Sequence, residues 1–580
     1  MRAFQNSVCR WTRLWSTFAT AAVALACACP IAAGDDGDDD GYLPRQAMVR
    51  LQAGMTIGQF NSQYGTTTLR AIGSRRIYLL QLPVPEGDEE EWLADLLGNP
   101  PAALRWAELN YEGQDGEGRT GSFYVSSLIA GNRFGSQYAR NTLQLENAHA
   151  MSTGSGAIVA VLDTGVDATH PLLAPRIVAG GYNYVDNNSK TADVGDNLDN
   201  DGDGLVDESH GHGTFVAGLI AMVAPDAGIL PIKVLDSDGR GAGFSFAAGV
   251  FRAIDKGADV INMSLGSTYS SQALEDALFE SRLRGIVVVG AAGNQASDLE
   301  EFPAMKDDGI GVVAVDRNDI KADFSNFNDK ADLSAPGVGI FSSIPENSEG
   351  HTYARWEGTS MATPLVAGTA ALLVSLHPEW AEDHSRHALV QGTLEGSAVN
   401  IDPLNPGYQG MMGAGRINAA AAVQFDEPAV AWINNLSITQ GTLLFGGIVD
   451  LLDDADGRFV TVRSVAGFNA NDPNIMEARV RFTTLATPDE LEVSVRYRLN
   501  TPGGTALVRL RKWTNNTWQV LDSHSIGVDW MDRTVEGVNA AGLVRASDGR
   551  ILLSIRHTVL ASFTTSQFRS YLDLAEIDLE

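Results

Sequence analysis

The segment Gly358-Thr359-Ser360-Met361-Ala362-Thr363-Pro364 places a serine among small residues, immediately before an apolar helical stretch, Val366–Ser375. A serine needs a base to become a nucleophile; histidine can serve near neutral pH, and an aspartate can fix the histidine tautomer. Both types occur upstream: Asp163-Thr164-Gly165 follows the predicted strand Ile158–Leu162, and His212-Gly213-Thr214 opens an apolar helix. Because strand ends and helix starts of an open α/β sheet converge on one crevice, these distant residues can meet there.

The residues around these segments, 143–426, alternate apolar strands with helical stretches. Runs such as Ile229–Leu235 and Ile286–Ala291 are almost continuously apolar, as expected for parallel strands that are covered on both faces. Phe244–Gly257 and Ser271–Arg284 have helical spacing between them. The pattern predicts an α/β domain whose mostly parallel sheet is flanked by helices.

The order Asp, His, Ser and the Gly358–Pro364 segment together resemble the subtilases, the subtilisin-like serine proteases, over residues 143–425. The resemblance implies that Ser360 is the nucleophile of an acyl-enzyme mechanism, that His212 is the general base and acid, and that Asp163 orients it. His210 is a rival base two residues away. The Gly-Thr pair after His212, and the helix that this pair enters, favour His212.

The resemblance also implies an oxyanion site and a substrate strand. Asn294, in Ala291-Ala292-Gly293-Asn294, is similar to the family residue whose side chain donates to the oxyanion, with the Ser360 N–H as second donor. Asn262-Met263-Ser264-Leu265-Gly266 is similar to the strand that pairs with the substrate and walls the first specificity pocket. The implied substrate-binding residues are Ser264, Leu265, Gly266, Ala291, Ala292 and Gly293, with Phe302 and Ala304 bearing on pocket preference.

An acidic loop, Asp199 to Glu208, precedes His212 and alternates carboxylates with glycines. Such a pattern suits a hard cation with several oxygen ligands, so we expect structural calcium. The proposed ligands are Asp199, Asp201, Asp203 and Asp207, at EF-hand-like positions 1, 3, 5 and 9, with Glu208 closing the shell. Position 12 is His210 rather than Glu, and a solvated acidic loop is the alternative.

Residues 1–33 have the pattern of a signal peptide: early arginines, an apolar run at Phe18–Ala28, and small residues near Ala33. The run is short for a transmembrane anchor, so we expect a secreted protein, with the periplasm or cell surface as alternatives. All three cysteines lie in this segment, so the mature chain would have none. A lipoprotein cut at Cys27 or Cys29 is the other alternative, although alanine rather than leucine stands three residues before each cysteine.

An acidic linker at 34–44 is followed by a small α+β unit at 45–112. Thr56 is a predicted N-cap of one helix, and Gly65 its predicted end. The order of strands and helices and the Ala107–Tyr111 ending resemble the inhibitory propeptides of subtilases, which implies an intramolecular inhibitor; an ordinary accessory domain is the alternative. Residues 113–142 are predicted to be a linker or processing region.

Beyond residue 427 the pattern changes to period two, as in Leu491–Leu499. The spacing predicts an antiparallel, jelly-roll-like β-sandwich at 427–580. Trp513 and Trp518 flank Asn515-Asn516, so they either contact a surface or polysaccharide ligand or belong to the core.

The net charge is −31, from 41 Lys and Arg against 72 Asp and Glu. This argues against nucleic acid as the main partner, because phosphate backbones need Lys and Arg. The sequence therefore predicts a secreted, calcium-dependent serine endopeptidase that is made as a zymogen and acts on proteins or peptides. A narrow maturation protease and a surface-binding protein with a vestigial peptidase domain are the alternatives.

Overall fold

In this computed structural model the described residues are 41–115, 133–304, 309–346, 350, 352–380 and 384–425, with the backbone of strands between 431 and 579. The predicted signal peptide at 1–33, most of the acidic linker and residues 116–132 lie outside this part of the chain. The side chains of Trp513 and Trp518 also lie outside it.

The first unit is the predicted α+β fold. Its elements are β1 (Tyr42–Leu51), α1 (Ile57–Tyr64), β2 (Thr67–Ile72), β3 (Ile77–Gln81), α2 (Glu89–Gly98) and β4 (Leu104–Gln114). Helix α1 begins and ends where predicted: Thr56 and Gln59 cap each other's backbone N–H groups, and Gly65 ends the helix at a φ of 70°.

The second unit carries the predicted α/β pattern. It begins with α3 (Tyr138–Thr142), α4 (Leu145–His149), β5 (Ile158–Asp163), β6 (Tyr182–Asn183), α5 (His212–Val223), β7 (Gly228–Lys233), β8 (Arg240–Ala242), α6 (Gly243–Asp255) and β9 (Val260–Met263). It continues with α7 (Gln272–Leu283), β10 (Val287–Ala291), β11 (Ile310–Val315), β12 (Leu333–Pro336), β13 (Ile340–Ser343), β14 (Tyr353–Trp356), α8 (Thr359–Leu376), α9 (His384–Gly396) and α10 (Ala419–Ala422).

Seven strands of this unit form one parallel sheet in the order β12-β11-β10-β9-β5-β7-β6. Helices α5 and α8 pack together in the core on one face, and α6 and α7 pack on the other. Helix α8 has the length and mean hydropathy (1.5) of a membrane span, but 89% of it is buried in this core. The predicted fold class, a parallel sheet between helices, is confirmed.

The first unit lies on α6 and α7, and its sheet is buried on both faces. Val49 on β1 packs against Phe60 of α1, whereas Met48 faces the opposite way and joins the cluster of Phe244 and Leu274. This alternation follows from the period-two geometry of a strand. The hydrophobic core of the second unit therefore extends into the first.

Strand β4 continues past the predicted boundary at residue 112. Its last residues pair antiparallel with β8, with Gly113 opposite Gly241, so the strand order of this sheet is β2-β3-β1-β4-β8. Gly113 was assigned to the predicted linker, but its missing side chain admits close backbone pairing: a Cβ there would lie 2.8 Å from the Gly266 carbonyl oxygen.

The C-terminal part consists of antiparallel strands, as the period-two pattern predicted. They are β15 (Ala431–Gln440), β16 (Thr442–Phe445), β17 (Val460–Arg463), β18 (Asn474–Thr484), β19 (Glu490–Leu499), β20 (Gly504–Lys512), β21 (Thr517–Ile526), β22 (Met531–Asn539), β23 (Arg550–Val559) and β24 (Arg569–Leu579). Two five-stranded sheets result, in the orders β15-β18-β23-β20-β21 and β16-β17-β24-β19-β22.

Candidate active site

Asp163 and His212 meet where β5 ends and α5 begins. The Nδ1 atom of His212 lies 2.7 Å from Oδ1 of Asp163, and the two side chains are almost fully buried. The close approach depends on Gly213, because a Cβ at that position would lie 2.1 Å from the Gly165 carbonyl oxygen. The structure therefore brings together two residues that are 49 positions apart in the chain.

The contact with Asp163 decides which nitrogen of His212 is basic. A carboxylate accepts hydrogen bonds, so Nδ1 carries the hydrogen and the neutral imidazole has its lone pair on Nε2. Trp356 stacks beside the ring, with the centroids 6.1 Å apart. His210 lies in the turn before α5, where its backbone N–H donates to the Asp207 carbonyl. His212 is thus the histidine that pairs with Asp163.

Ser360 is the second residue of α8, in the first turn of the helix. Its Oγ donates to the Ser264 carbonyl oxygen at 3.2 Å, and the Ser264 hydroxyl donates back to the Ser360 carbonyl at 3.0 Å. The N–H groups of the first helical turn have no acceptor within the helix. The serine therefore lies against the segment that follows β9, at a helix end that suits a developing negative charge.

Asn294 follows β10, and Thr359 fixes the orientation of its side chain. The backbone N–H and the hydroxyl of Thr359 both lie 2.9 Å from Oδ1 of Asn294. A backbone N–H can only donate, so the atom that faces it must be the amide oxygen. The amide nitrogen of Asn294 is consequently the group that can donate to a substrate next to Ser360.

The other predicted substrate residues form two buried segments near Ser360. The first, Ser264-Leu265-Gly266, bonds to the first unit: Gln114 and Gly266 exchange two backbone hydrogen bonds, at 3.0 and 2.9 Å. The second, Ala291-Ala292-Gly293, is tied to α8 because the Gly293 N–H donates to the Thr359 hydroxyl. The tail of β4 thus lies as an extended chain between β8 and the Ser264–Gly266 segment.

The acidic loop brings some of its predicted ligands together and not others. The carboxylates of Asp199, Asp201 and Asp203 can place one oxygen each within 4.8 Å of one another, and Asp201, Glu208 and Asp238 form a second such group. Asp207 instead accepts backbone N–H groups of the preceding turn, including that of Asp196 at 2.8 Å. Its side chain therefore binds backbone N–H groups of the loop and belongs to neither carboxylate group.

Glu208 is the member that most needs a positive partner. Neither carboxylate oxygen has a hydrogen-bond partner among the other described residues, although both oxygens are buried. Desolvation raises the pKa of Glu208 to about 7, and the carboxylates of Asp238 and Asp201 act in the same direction. Oxygen donors of this kind fit a hard divalent cation.

Three acidic residues of the site were missed from the sequence. Asp193 is buried beneath the Asp163–His212 pair and accepts from the Thr214 hydroxyl at 2.7 Å. Asp238 joins the cation group from a turn about 30 residues beyond the acidic loop, and Glu301 lies beside Gly266. Only the Asp236-Ser237-Asp238-Gly239 turn offered a signal in the sequence, and nothing there linked it to the loop.

The comparisons with known proteins cover the second unit. The family model described as the subtilase family matches residues 154–415. Thermitase from Thermoactinomyces vulgaris is 37% identical over 300 residues, which span 50% of this chain and 96% of thermitase. Subtilisin BL from Lederbergia lenta is 38% identical over 281 residues, 47% of this chain and 92% of that protein. A crystal structure of a lanthipeptide protease matches at 25% identity with a TM-score of 0.43, covering 50% of this chain and 94% of that one.

Proposed function

This chain belongs to the subtilase family and is a serine endopeptidase acting on proteins or peptides, and from that premise we propose that Asp163, His212 and Ser360 are its catalytic triad. The observation that carries the proposal is the buried 2.7 Å contact between Asp163 and His212. Ser360 attacks the scissile carbonyl while Nε2 of His212 takes the hydroxyl proton and later gives it to the leaving amine. Water then hydrolyses the acyl-enzyme.

A fluorophosphonate probe tests this assignment on purified, prosegment-free protein. We expect the wild type to be labelled on Ser360 and the Ser360→Ala variant to remain unlabelled, because only an activated serine reacts with the probe. Peptide mapping identifies the labelled residue. Absence of label on a folded wild-type protein would overturn the triad.

Asn294 and the Ser360 N–H are proposed to hold the oxyanion. The fixed orientation of the Asn294 amide supports this role, because a donor that is already aimed needs no reorganisation when the charge develops. The position of Ser360 in the first turn of α8 supports the second donor.

We also propose that the unit at 42–114 is an inhibitory prosegment. It covers the start of two helices of the second unit: Glu108 accepts backbone N–H groups of α7 at 2.7 and 3.0 Å, and Asn110 accepts that of Phe244 in α6 at 3.0 Å. Its tail lies where a substrate strand would lie, with the Asp115 N–H donating to the Gly239 carbonyl. A chain in that position excludes other substrates.

The register of this tail predicts where the precursor is cut. Gln114 pairs with Gly266 in an antiparallel arrangement, so a chain that continues two residues further falls opposite Ser264. The Ser264 carbonyl contacts the Ser360 hydroxyl, which brings the next peptide bond to the nucleophile. We therefore expect the first cut after Gly116.

N-terminal sequencing of the matured protein checks the cut, since a chain beginning at Glu117 is expected if no further trimming follows. The Ser360→Ala precursor, made in isolation, should remain whole. Adding a trace of active wild type tests whether that variant is otherwise cleavable. Normal maturation of the isolated variant would show that another protease makes the cut.

Calcium at the acidic loop is proposed on the strength of the buried carboxylate of Glu208. Asp201, Glu208 and Asp238 would hold the ion, with Asp199 and Asp203 close by. Asp238 stands two residues before β8, so the ion would stabilise the loop against a strand that borders the substrate site.

Export is proposed from the arginine-rich start and apolar run of residues 1–33. We expect expression in a secreting host to yield protein in the medium that lacks these residues. Retention of the full N-terminus inside the cell would count against export.

A further inference from the structure

Arg75 of the first unit lies in a site that the second unit forms around its guanidinium group. The residue stands in the turn after β2, Gly73–Arg75, and its side chain is 10% exposed. Nε and Nη2 of Arg75 donate to the two carboxylate oxygens of Glu280, at 3.2 and 2.8 Å, and Nη1 donates to Asp255 at 2.9 Å. Cζ lies 4.8 Å from the ring centroid of Phe251. A carboxylate bound through both oxygens, a second carboxylate and an aromatic face together match the shape and charge of a guanidinium group.

A second arginine contact lies one turn earlier on α7. Asp276 precedes Glu280 by four residues, so the two side chains project from the same face of the helix. Nη1 of Arg50, on β1, lies 2.5 Å from Oδ2 of Asp276, and Nε1 of Trp106, on β4, donates to the same oxygen at 2.7 Å. The side chain of Asp276 is 11% exposed. We name Asp255, Asp276 and Glu280 the arginine-binding face.

The arginine-binding face extends toward the helix ends that point away from the substrate strands. Asn110 accepts the Phe244 N–H at the start of α6, next to β8, whereas Asp255 is the last residue of that helix, about 16 Å along its axis at 1.5 Å per residue. Glu108 meets the start of α7, and Glu280 lies in its last turn. A helix favours acceptors at its start and cations at its end. The first unit thus presents the favoured type of group to both ends of the same two helices.

We propose that the arginine-binding face is a binding surface separate from the substrate strands, and that it retains the cut first unit through Arg50 and Arg75 until salt releases it. These contacts do not involve the tail of β4, so they persist when the tail leaves Ser264–Gly266. Salt weakens them because the screening length falls to about 3 Å at 1 M ionic strength. The net charge of −31 makes a pair of arginines a complementary ligand for this chain.

Retention can be measured without catalysis. The chain for this experiment carries Ser360→Ala and, between residues 116 and 132, a recognition sequence for an unrelated site-specific protease. After that protease has cut, the second unit is immobilised through a C-terminal tag. The dissociation rate of the first unit is then followed by biolayer interferometry in about 0.05 M and about 1 M NaCl.

The variants remove one side of the arginine contact at a time. They are Glu280→Gln, Arg75→Gln, the double variant and Arg75→Lys. Glu300→Gln is the matched control, because it removes an exposed carboxylate of the same unit that does not contact the first unit.

We expect the wild-type dissociation rate to rise by about 10-fold or more between the two salt concentrations. Glu280→Gln and Arg75→Gln should each raise the rate in dilute salt by about 10-fold or more and weaken its salt dependence. The double variant should be no faster than Arg75→Gln alone, because the two residues act through one contact. Arg75→Lys keeps the charge but loses the planar fork, so its rate should lie between those of the wild type and Arg75→Gln.

Gly113→Val tests whether the face acts apart from the substrate strands. A Cβ at this position would lie 2.8 Å from the Gly266 carbonyl oxygen, so the substitution displaces the tail of β4. Dissociation should become faster at both salt concentrations, while the ratio of the two rates stays that of the wild type. A ratio near one in Gly113→Val would assign the salt effect to the tail and overturn the inference.

A wild-type dissociation rate that is the same at both salt concentrations would also overturn the inference, and so would a double variant whose effect is the product of the two single effects. Regulation by salt rests on the proposed inhibitory role, which the chain with an intact Ser360 tests separately. Its activity on a short peptide, per serine titrated with fluorophosphonate, should rise as the cut first unit leaves. If the first unit leaves and this activity does not rise, the inhibitory role fails and the arginine-binding face stands.

Discussion

Thr359 holds the Asn294 amide in one direction, and this fixed direction makes the role of Asn294 measurable. We predict that Asn294→Ala lowers kcat by about 10²–10³-fold with little change in KM, the loss known for such a donor in subtilisin. The reason is that the donor acts on charge that appears only in the transition state. Steady-state kinetics on titrated enzyme give the answer.

Asn318→Ala, in an exposed turn, serves as the control and should leave kcat unchanged. An Asn294→Ala enzyme with wild-type kcat would show that the oxyanion is held by other groups.

Single site residues differ in how far their local sequence predicts their role. Ser360, His212 and Asp163 lie in short segments whose small neighbours permit close packing, as the contact between Gly213 and Gly165 illustrates. Asp193 and Glu301 could not be predicted, because an acid in a polar stretch is ordinarily exposed. Their burial results from contacts between elements that are far apart in the chain.

Among the elements, α7 is capped by a residue of another unit, and this contact should depend on pH. Glu108 accepts from the Ser271 hydroxyl and the N–H groups of Gln272 and Ala273. Desolvation nevertheless raises its pKa from the ordinary 4.5 to about 7. Glu108 therefore keeps a proton while the first unit is packed on α7 and releases it when that unit detaches. Its contribution to the binding of the first unit is complete below pH 4.5 and is lost as the pH rises through 7.

We predict that amides of β4 in the Ser360→Ala precursor exchange more slowly at pH 5 than at pH 8, after division by their intrinsic rates. Glu108→Gln should remove most of this difference, because its side chain does not titrate. Hydrogen exchange followed by mass spectrometry provides the measurement. Glu91→Gln, on the exposed side of α2, is the control; an unchanged pH response in Glu108→Gln would contradict the prediction.

The contact between β4 and α6 predicts a preference for small substrate residues at the position that Gly113 occupies. A Cβ on Gly113 would lie 2.8 Å from the ring of Phe246, so this position of a bound chain has room only for a small residue. A peptide with Leu three residues before the one at the scissile bond should have a kcat/KM about 10-fold or more below its Gly counterpart, consistent with an overpacking cost of about 1–3 kcal/mol.

Phe246→Ala removes the clash with the ring but leaves the one with the Gly266 carbonyl oxygen, so it should raise the value for the Leu peptide part of the way toward that for the Gly peptide. Comparison of the two peptides on both enzymes is the test. An equal preference in the wild type would mean that Phe246 moves aside without cost.

Elements were predictable to the extent that one local pattern determined them. The apolar runs predicted the parallel strands, and Thr56 and Gly65 predicted the two ends of α1. The last residues of β4 were not predicted, because Gly113 is extended only through its pairing with Gly241 in the other unit. Local propensity favours a turn for such a sequence, and the tertiary contact overrides it.

At the scale of the whole molecule, the acidic loop should couple metal to stability. We predict that the mature protein melts at a higher temperature in excess calcium than in EDTA, because a ligand that binds only the folded state stabilises it by about 2.7 kcal/mol at 100 times its Kd. Calorimetry or circular dichroism gives the melting temperatures.

The double variant Asp201→Asn, Glu208→Gln should lose this response, whereas Asp226→Asn, at an exposed turn, should keep it. Identical melting curves of the wild type in EDTA and in calcium would count against a stabilising ion.

The order of units along the chain followed from shifts in periodicity, and the class of each was predictable. How the units join was not. The core that Met48 shares with Phe244 and Leu274 arises only when the first unit lies on α6 and α7.

The antiparallel pairing of β4 with β8 has a consequence for the folded proteins that this enzyme can cut. If the first unit is removed as we propose, β8 and Ser264–Gly266 become two facing strand edges, and only an extended backbone can bond to both. In a folded protein substrate the backbone N–H and C=O groups are already hydrogen-bonded within its own helices and sheets. The substrate must therefore unfold locally before it is cut. Where opening is fast, the digestion rate follows the population of the opened form. The resistance of each segment of a protein substrate to this enzyme would then measure the free energy of local unfolding of that segment.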